Sequence, residues 1–274
     1  MGRLPRRSHR LGAQAVSAAV LDTYRHAMEN TSVFSTKAEK YAHYRWDYAP
    51  ASIQTLFDSN GLSVDSVAAD IGAGTGIFTR HLASRVRKVY AIEPNPTMRE
   101  IAVQFLSHLP SCQVIDGQAE ATPIADASID LITVATAFNW FDPEPSRAEF
   151  RRILKPGGWL AKVNNYGTNP ELGKALNKIY PAETGTETIM KGKDTPFSFY
   201  MGHSEYQTFS FPFTNMQDWA AFIGAAASAS YAPDESSPYY ASFERSARQV
   251  FDCFAINGWV QVDGVTEICF GKMR

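Results

Sequence analysis

Cysteine and clustered histidine are scarce in this chain of 274 residues. The three cysteines, Cys112, Cys253 and Cys269, share no CxxC spacing, which favours isolated thiols in a reducing compartment over a disulfide framework. The six histidines form no HxxxH pair and no cluster with cysteine. The sequence therefore predicts neither a disulfide scaffold nor a metal site.

The sequence also has no net basic charge and no long apolar run. Its formal charge of -2 gives no overall field that would hold DNA or RNA, so a nucleic-acid partner is disfavoured. The alanine-rich run at 220–232 is interrupted by glycine and serine and is too short to span a bilayer. We expect a cytoplasmic protein without a membrane span, acting as a monomer or homodimer.

The composition suits one large domain, with 45% hydrophobic and 20% charged residues. The N-terminus differs, because Arg3, Arg6, Arg7 and Arg10 all precede the first acidic residue, Asp22. This composition resembles a transit peptide, although a translated upstream segment is an equal alternative. We predict that residues 1–33 are an extension, either helical or dispensable, and that residues 34–274 form the main domain.

Short apolar runs alternate with helical patterns along the first half of the domain, which is typical of a parallel sheet covered by helices. The predicted strands are Val67–Asp70, Lys88–Glu93, Gln113–Asp116, Ile129–Thr136 and Trp159–Asn164. The predicted helices between them are about Ile77–Arg87, Pro96–His108 and Pro143–Leu154.

The second half alternates less regularly. Two further strands are predicted at Tyr206–Phe213 and Val260–Phe270, with helices at about 215–230 and 236–256. The chain therefore has helical cap insertions at about 165–204 and 215–256, which we expect to cover the edge of the sheet where ligands bind.

One glycine-rich segment, DIGAGTG from Asp70 to Gly76, joins the first predicted strand to the first helix. This junction lies at the carboxyl edge of the sheet, where doubly wound folds bind ligands. A dinucleotide-binding G-x-G-x-x-G would need a glycine where Ile77 stands, and no GK[ST] follows for a phosphate-binding P-loop. The spacing therefore argues against a phosphate ligand.

The segment resembles the acidic-x-G-x-G-x-G motif of class I S-adenosylmethionine-dependent methyltransferases. The resemblance is to the branch similar to ubiquinone/menaquinone C-methyltransferases, methyltransferase type 11, and covers about residues 34–160. It implies a Rossmann-like, doubly wound, mostly parallel seven-stranded sheet with an antiparallel final strand and a helical cap. It also implies S-adenosylmethionine as the cofactor, whose α-ammonium group Asp70 would attract, directly or through water.

Two further segments carry the resemblance. Glu93 ends the second predicted strand, and a carboxylate there can accept both ribose hydroxyls. The segment GQAE, Gly117 to Glu120, is similar to the family's adenine-binding segment. Together the resemblances imply the cofactor-binding residues Tyr41, Arg45, Asp70, Gly72, Ala73, Gly74, Gly76, Glu93, Pro94, Met98, Gln118, Ala119, Glu120 and Thr136.

The stretch FSTKAEKYAHYRWDY, from Phe34 to Tyr48, is similar to the family's first helix with its Y-x-x-x-R pattern, here Tyr41 and Arg45. The resemblance implies that Arg45 pairs with the cofactor carboxylate. Trp46 stands where relatives often have proline, which leaves open that Arg45 is a surface residue.

The segment AFNWF, Ala137 to Phe141, corresponds to the loop that lies at the reacting methyl group in relatives, so Phe138, Asn139 and Trp140 are its candidate catalytic residues. Asn139 replaces the usual histidine and cannot act as a general base. A base, where needed, would be His203, His43, a tyrosine or water. Aromatic residues that could shape an acceptor pocket are Tyr200, Trp219, Tyr231, Tyr239 and Tyr240.

These features predict an S-adenosylmethionine-dependent methyltransferase of specialised metabolism. Its acceptor would be a carbon, oxygen or nitrogen of a small, apolar or aromatic molecule, methylated by proximity and orientation. The alternatives are a cofactor-binding regulator or partner subunit without turnover, and an NAD-dependent oxidoreductase, which Ile77 disfavours. No NPPY-like tetrapeptide for a flipped base follows the fourth strand, so nucleic-acid methylation is disfavoured.

Overall fold

The computed structural model describes residues 36–181, 192 and 194–273. The predicted N-terminal extension, residues 1–33, lies outside them. The described chain contains seven strands. They are β1 (Val67–Ile71), β2 (Lys88–Ile92), β3 (Cys112–Ile115), β4 (Ile129–Ala135), β5 (Leu154–Gly167), β6 (Gln207–Gln217) and β7 (Val260–Lys272).

All seven strands form one sheet in the order β3-β2-β1-β4-β5-β7-β6. Strands β1 to β5 pair in parallel, and β7 runs antiparallel to both of its neighbours, β5 and β6. The predicted mostly parallel sheet with an antiparallel final strand is therefore confirmed. The strand order reverses between β1 and β4, and the crevice at such a point is where open α/β sheets bind ligands.

Helices cover the sheet and form the cap. They are α1 (Thr36–Tyr44), α2 (Pro50–Asp58), α3 (Thr79–Ala83), α4 (Pro96–Leu106), α5 (Pro143–Ile153), α6 (Pro170–Asn177), α7 (Phe197–Met201), α8 (Trp219–Ala227) and α9 (Tyr240–Phe254), with a 3-10 turn at Phe138–Trp140. None of these described helices is long and apolar enough to cross a membrane.

Several element boundaries differ from the predicted ones because of local capping and strand pairing. The predicted helix at 215–230 begins only at Trp219, since the Asp218 side chain accepts a hydrogen bond from Ala221 N at 2.8 Å and caps it. Residues Asn215 to Gln217 extend β6 instead, where they pair with β7. Of the helix predicted at 77–87, only Thr79–Ala83 is helical, as α3.

The core lies on both faces of the parallel strands. All five residues of β1 are buried, as expected for a strand that helices cover on both sides. One face packs Phe150, Phe138 and Tyr200, and the other packs Phe78, Leu82 and Phe270. The carboxyl ends of β1, β2 and β4 are thereby held rigidly beside the cap.

Candidate active site

The three glycines of the β1–α3 loop all have left-handed backbone conformations, with φ of 71° at Gly72, 58° at Gly74 and 87° at Gly76. A Cβ at Gly72 would lie 2.7 Å from Ala137 Cβ, and one at Gly76 would lie 2.9 Å from Leu106 Cδ1. A Cβ at Gly74 would meet only the Tyr41 ring, at 3.9 Å. Gly72 and Gly76 therefore allow close packing, while Gly74 leaves open space above the loop.

Backbone hydrogen bonds fix this loop across the end of β2. The amides of Gly72 and Ala73 both donate to the Ile92 carbonyl, at 2.9 and 3.0 Å. The Gly74 amide donates to Glu93 Oε2 at 2.8 Å. The ends of β1 and β2 thus form one continuous edge, on which Asp70, the glycines and Glu93 lie together, as the sequence predicted.

Asp70 is fully buried at this edge. Its carboxylate accepts hydrogen bonds from Thr79 Oγ1 at 2.6 Å and from Thr133 Oγ1 at 2.8 Å. Burial raises the pKa of Asp70 to about 6, although the two hydroxyl groups oppose the shift, and nearby Glu93 raises it slightly further. Asp70 therefore ties β1, α3 and β4 together, and its side chain is turned into the protein.

Glu93 is 7% exposed and holds two backbone groups. In addition to Gly74 N, its carboxylate accepts a hydrogen bond from Asn95 N at 2.8 Å. Burial raises the pKa of Glu93, against the effect of these hydrogen bonds and of the Arg99 charge. Because each carboxylate oxygen has two acceptor positions, both oxygens keep capacity for a ligand hydroxyl.

The predicted adenine segment follows β3 at the same edge. Residues Gln118 and Ala121 exchange backbone hydrogen bonds of 3.4 and 3.2 Å, which leave the Gln118 side chain exposed. Ala119 is buried, and Glu120 Oε1 accepts a hydrogen bond from Asp142 N at 2.6 Å. Glu120 thus fixes the start of α5. Two more predicted cofactor residues lie nearby at the start of α4, the exposed Pro94 and the half-buried Met98.

Helix α1 approaches the glycine loop from the cap side. The Tyr41 ring lies over Gly74, and the Arg45 guanidinium lies over the Tyr41 ring, 5.2 Å from its centroid. Within the described chain, Arg45 forms no ion pair, and its side chain is exposed. The structure thus places Tyr41 beside the loop and Arg45 over Tyr41, and their predicted role in cofactor binding stays a prediction.

A hydrogen-bonded cluster holds the segment after α1 against α3. The Asp47 carboxylate bonds to Arg80 Nη2 and to His81 Nε2, the latter at 2.7 Å, and accepts from Tyr48 N at 2.9 Å. Burial alone would raise the pKa of Asp47, but the hydrogen bond to His81 and the Arg80 charge lower it. This cluster fixes where α1 ends relative to the glycine loop.

A cavity of about 170 Å³ lies between the sheet and the cap, beside the end of β4. Its walls are mainly apolar and aromatic, with a few polar side chains. The lining residues are Tyr44, Arg45, Trp46, Tyr48, Thr136, Asn165, Leu176, Tyr180, Gln217, Phe222, Ala225, Ala226, Ala229, Tyr231 and Val262. These described lining residues include one cationic side chain and no carboxylate or histidine.

Thr136 connects the cavity to the sheet edge. It directly follows β4, has a φ of 57°, and donates its amide hydrogen to the Val163 carbonyl at 2.9 Å. Its hydroxyl group lies 3.1 Å from the Tyr48 hydroxyl. Burial raises the pKa of Tyr48 well above its usual range, so Tyr48 stays protonated.

The predicted catalytic loop contributes to packing more than to the cavity. Phe138 is 7% exposed and packs on Tyr200, with ring centroids 4.5 Å apart. Asn139 accepts a backbone hydrogen bond from Gly192 at 3.1 Å, and its side chain is exposed, as is that of Trp140. None of these three residues lines the cavity.

His203 is not brought to the site. Its Nε2 lies 2.9 Å from the Lys272 carbonyl, and Lys272 pairs with Trp159 near the start of β5. The amino ends of the parallel strands lie at that edge of the sheet, whereas the glycine loop is at their carboxyl ends. We therefore do not retain His203 as a base.

The aromatic residues that were predicted to shape an acceptor pocket lie in different parts of the structure. Tyr231 lines the cavity, whereas Tyr200 is 1% exposed inside the core and Tyr239 is 41% exposed. Trp219 does not line the cavity, and it packs behind the lining residue Phe222, at 6.5 Å, and on Phe251, at 5.5 Å. Tyr240 lies near Phe243, at 5.8 Å, and Lys40.

Three polar residues of the cavity were not predicted from the sequence: Asn165, Tyr180 and Gln217. They come from β5, the segment after α6, and the end of β6, which strand pairing and cap packing bring together. The alternation that predicted β6 ended at Phe213, four residues before Gln217. An extension of that alternating pattern would have placed Gln217 on the strand.

The sheet order, the antiparallel β7 and the glycine loop with its two acids define the class I methyltransferase fold. Residues 69–161 match the family model described as a methyltransferase domain. Residues 69–161 are thus similar to that methyltransferase domain, in agreement with the resemblance that the sequence motifs carry.

Curated relatives are similar to about half of this chain. An uncharacterised methyltransferase of Mycobacterium bovis is 32% identical over 150 residues, which are 53% of this chain and 59% of the relative. Malonyl-[acyl-carrier protein] O-methyltransferase from a Marinomonas species is 27% identical over 146 residues, 52% of this chain and 54% of the relative. The chain thus matches only a little over half the length of these relatives.

Solved structures show the same fold. A candidate type II methyltransferase from Anaeromyxobacter dehalogenans superposes with a TM-score of 0.58 at 20% identity, covering 84% of this chain and 98% of that one. The YcgJ protein of Bacillus subtilis gives a TM-score of 0.54 at 17% identity, covering 82% of this chain and 100% of that one. At these identities the likeness concerns the fold alone.

Proposed function

We propose that this chain transfers the methyl group of S-adenosylmethionine to a carbon, oxygen or nitrogen of a small apolar or aromatic acceptor. The position of Thr136 supports this most directly. It directly follows β4, whose Thr133 hydroxyl bonds to Asp70 beside the glycine loop, and it also lines the cavity. Direct transfer requires that the cofactor site and the acceptor site be adjacent, as they would be on the two sides of this strand end.

The residues at the sheet edge fit this cofactor. The open space over Gly74 admits a ligand that approaches the backbone closely. Glu93 would accept the ribose hydroxyls, while Met98 and Gln118 would lie beside the adenine. Asp70, which is buried and hydrogen-bonded to two threonines, would position the loop without touching the ligand.

Helix α1 would cover the other end of the cofactor. Arg45 is free of ion pairs within the described chain and lies over Tyr41, beside Gly74. A guanidinium in that position can pair with the cofactor carboxylate. Such pairing would also hold α1 closed over the site.

The sulfonium supplies an activated methyl group, so the chain need not provide a covalent nucleophile. The residues around the cavity would hold the acceptor and exclude water, and aromatic faces such as Tyr48 and Tyr231 tolerate a nearby positive charge. Burial raises the pKa of both Tyr48 and Tyr180 far above the usual range, so these tyrosines keep their protons. Orientation, with water as the proton acceptor, would therefore account for catalysis.

Calorimetry with S-adenosylmethionine tests the first step. We expect wild-type protein to bind it, and Glu93→Gln to weaken binding at least roughly tenfold, because a charge-assisted hydrogen bond is worth more than a neutral one. The matched variant Glu100→Gln, on the exposed side of α4, should bind like wild type. Wild-type protein that does not bind the cofactor would refute the proposal.

Methyl transfer is tested by incubating the protein with methyl-labelled cofactor and a panel of small aromatic acceptors and cell-extract fractions. A labelled product that appears only with active protein is the expected result. Cofactor binding without transfer to any fraction would indicate the non-catalytic regulator instead. Saturable NADH binding without S-adenosylmethionine binding would indicate the oxidoreductase.

A further inference from the structure

The polar groups around the cavity fall into two sets. One set is already hydrogen-bonded within the protein. Asn165 Oδ1 accepts from Thr266 Oγ1 at 2.6 Å, its Nδ2 donates to the Asp47 carbonyl at 3.1 Å, and the Tyr180 hydroxyl donates to the Ala226 carbonyl at 3.1 Å. These groups shape the cavity, and each already has a partner within the protein.

Gln217 belongs to the other set. It is the last residue of β6, it is 4% exposed, and it lines the cavity. Its backbone pairs with Val260, but among the described residues its side-chain amide has no hydrogen-bond partner. Unlike Trp46 Nε1, which is sealed within the packing, the Gln217 amide keeps some accessible surface, and for so buried a residue that surface faces the cavity.

A buried amide without a partner is costly, since both its N–H and C=O groups lose hydrogen bonds to water. Retaining one at a ligand cavity is favourable when a ligand supplies the missing partner. The carboxamide can donate and accept at once, which matches a ketone, hydroxyl or amide group. The carboxamide is uncharged, so it cannot neutralise an ionised group of a ligand.

The electrostatics of the lining agree with a neutral ligand. The one cation of the described lining, Arg45, is exposed and is assigned above to the cofactor. The lining that it shares with Gln217 includes the apolar side chains of Phe222 and Val262. An ionised group buried against them would lose its hydration without a compensating charge.

The cavity volume limits the buried part of the acceptor. Apolar cavities of about 150 Å³ take up a benzene molecule. The volume here, about 170 Å³, therefore suits one six-membered ring with a short substituent. Aromatic and alanine side chains in the walls, such as Tyr48, Phe222 and Ala226, suit the flat face of a ring.

Building on the proposed function, we infer that the acceptor is an uncharged, single-ring molecule whose carbonyl or hydroxyl group binds to the Gln217 amide. Gln217 is thus the specificity-determining residue of the cap, and it distinguishes neutral polar acceptors from carboxylates and from purely apolar rings. A site built to hydrogen-bond a substrate group rejects analogues that lack that group more strongly than an apolar pocket does.

Three probes of similar size test this inference: acetophenone, benzoate and ethylbenzene. Ligand-observed NMR titrations of the full chain, with and without S-adenosylhomocysteine, give their affinities. Acetophenone should bind wild type at least roughly fivefold more tightly than benzoate. The near-isosteric Gln217→Met should weaken acetophenone binding about fivefold and leave ethylbenzene binding within about twofold.

The matched control is Gln207→Met, at the exposed opposite end of β6, which should change none of the three affinities. Circular dichroism and thermal melts establish that both variants fold. Equal weakening of acetophenone and ethylbenzene in Gln217→Met would overturn the inference, as would tighter binding of benzoate or no binding of acetophenone to wild type. Because the probes are also titrated without nucleoside, a failure of cofactor binding is recorded separately and refutes only the proposed function.

Discussion

The sheet edge and the cap cavity satisfy their polar groups in opposite ways. At the edge, the carboxylates of Asp70 and Glu93 each accept two hydrogen bonds from the protein itself. In the cavity, the Gln217 side-chain amide has no hydrogen-bond partner within the described chain. The edge is thus organised without a ligand, whereas we propose that a ligand completes the hydrogen bonding of the cavity.

This difference matches the two tasks. A preorganised edge gives affinity for one fixed cofactor without reorganisation, because its backbone and acids are already held in place. In the proposed function, the cavity would determine which acceptor enters, through groups that only the correct ligand satisfies. Substitutions at the edge should therefore affect cofactor binding, and substitutions in the cap should affect acceptor choice.

The largest effect is expected from Gly72→Ala. Its Cβ would lie 2.7 Å from Ala137 Cβ at a φ of 71°, so the loop must move away from the end of β4. We expect cofactor affinity, measured by calorimetry, to fall by at least roughly a hundredfold. The control is Gly157→Ala, which has the same backbone strain from a positive φ, 76°, but no neighbouring atom within 4 Å of the added Cβ. Equal losses in the two variants would show that close packing at the loop is unimportant.

Gly224→Ala should act on the cap instead. A Cβ there would lie 2.2 Å from the Tyr44 ring, so α8 and α1 must separate beside the cavity. We expect a net destabilisation of about 1–3 kcal/mol by chemical denaturation, and a larger loss of acceptor turnover than of cofactor affinity. The control Gly173→Ala, inside α6 with nothing within 4 Å, should be stabilising by about 1 kcal/mol. A stabilised Gly224→Ala would contradict this packing.

Asp70→Asn tests the cost of the buried carboxylate at the edge. Since the pKa of Asp70 is raised to about 6 in the folded state, folding favours its protonated form. Its contribution to stability is therefore favourable at low pH and falls as the pH rises from about 4 to about 6. The stability of Asp70→Asn relative to wild type should increase over this interval, by up to about 2–3 kcal/mol.

Denaturation curves at pH 4.5, 5.5 and 7 would measure this difference. The exposed Asp65→Asn provides the control and should not show the same increase. A difference between Asp70→Asn and wild type that stays constant with pH would exclude a raised pKa for Asp70.

Tyr48→Phe should have the smallest effect, because it removes only the hydroxyl that lies 3.1 Å from Thr136 Oγ1. We expect a loss of about 1 kcal/mol in stability and a lower kcat, with cofactor affinity within about twofold of wild type. The control, Tyr166→Phe, removes the hydroxyl that accepts from Asn164 Nδ2 at 2.7 Å, outside the cavity, and should leave kcat unchanged. If cofactor affinity fell as much as kcat, Tyr48 would act on cofactor binding at the sheet edge and not on the acceptor cavity.

The edge could be predicted well because its determinants are local. Alternating glycines between two strand ends identify a loop in left-handed conformations, and parallel strands bring Asp70 and Glu93 to one edge whatever the cap does. The hydrogen-bond partners of Asp70 were not predictable, since Thr133 lies 63 residues away on another strand. Burial and those partners make the Asp70 carboxylate an internal support of the edge.

The cap was predicted only in outline. Its strands and helices follow from alternation and helical periodicity, but the residues that line the cavity come from six separate segments whose packing no local pattern records. His203 illustrates this point. The register of β7 on β5 places it at the amino edge of the sheet, far from the glycine loop along the strand direction.

The sequence by itself therefore determined the sheet and the glycine loop, because strand periodicity and left-handed glycines are properties of neighbouring residues. Only the tertiary structure decided which polar groups are already satisfied and which are left for a ligand. Hydrogen-bond satisfaction depends on groups distant in the chain, and it is the reason that Gln217, an ordinary residue in the sequence, becomes the residue that we expect to select the acceptor.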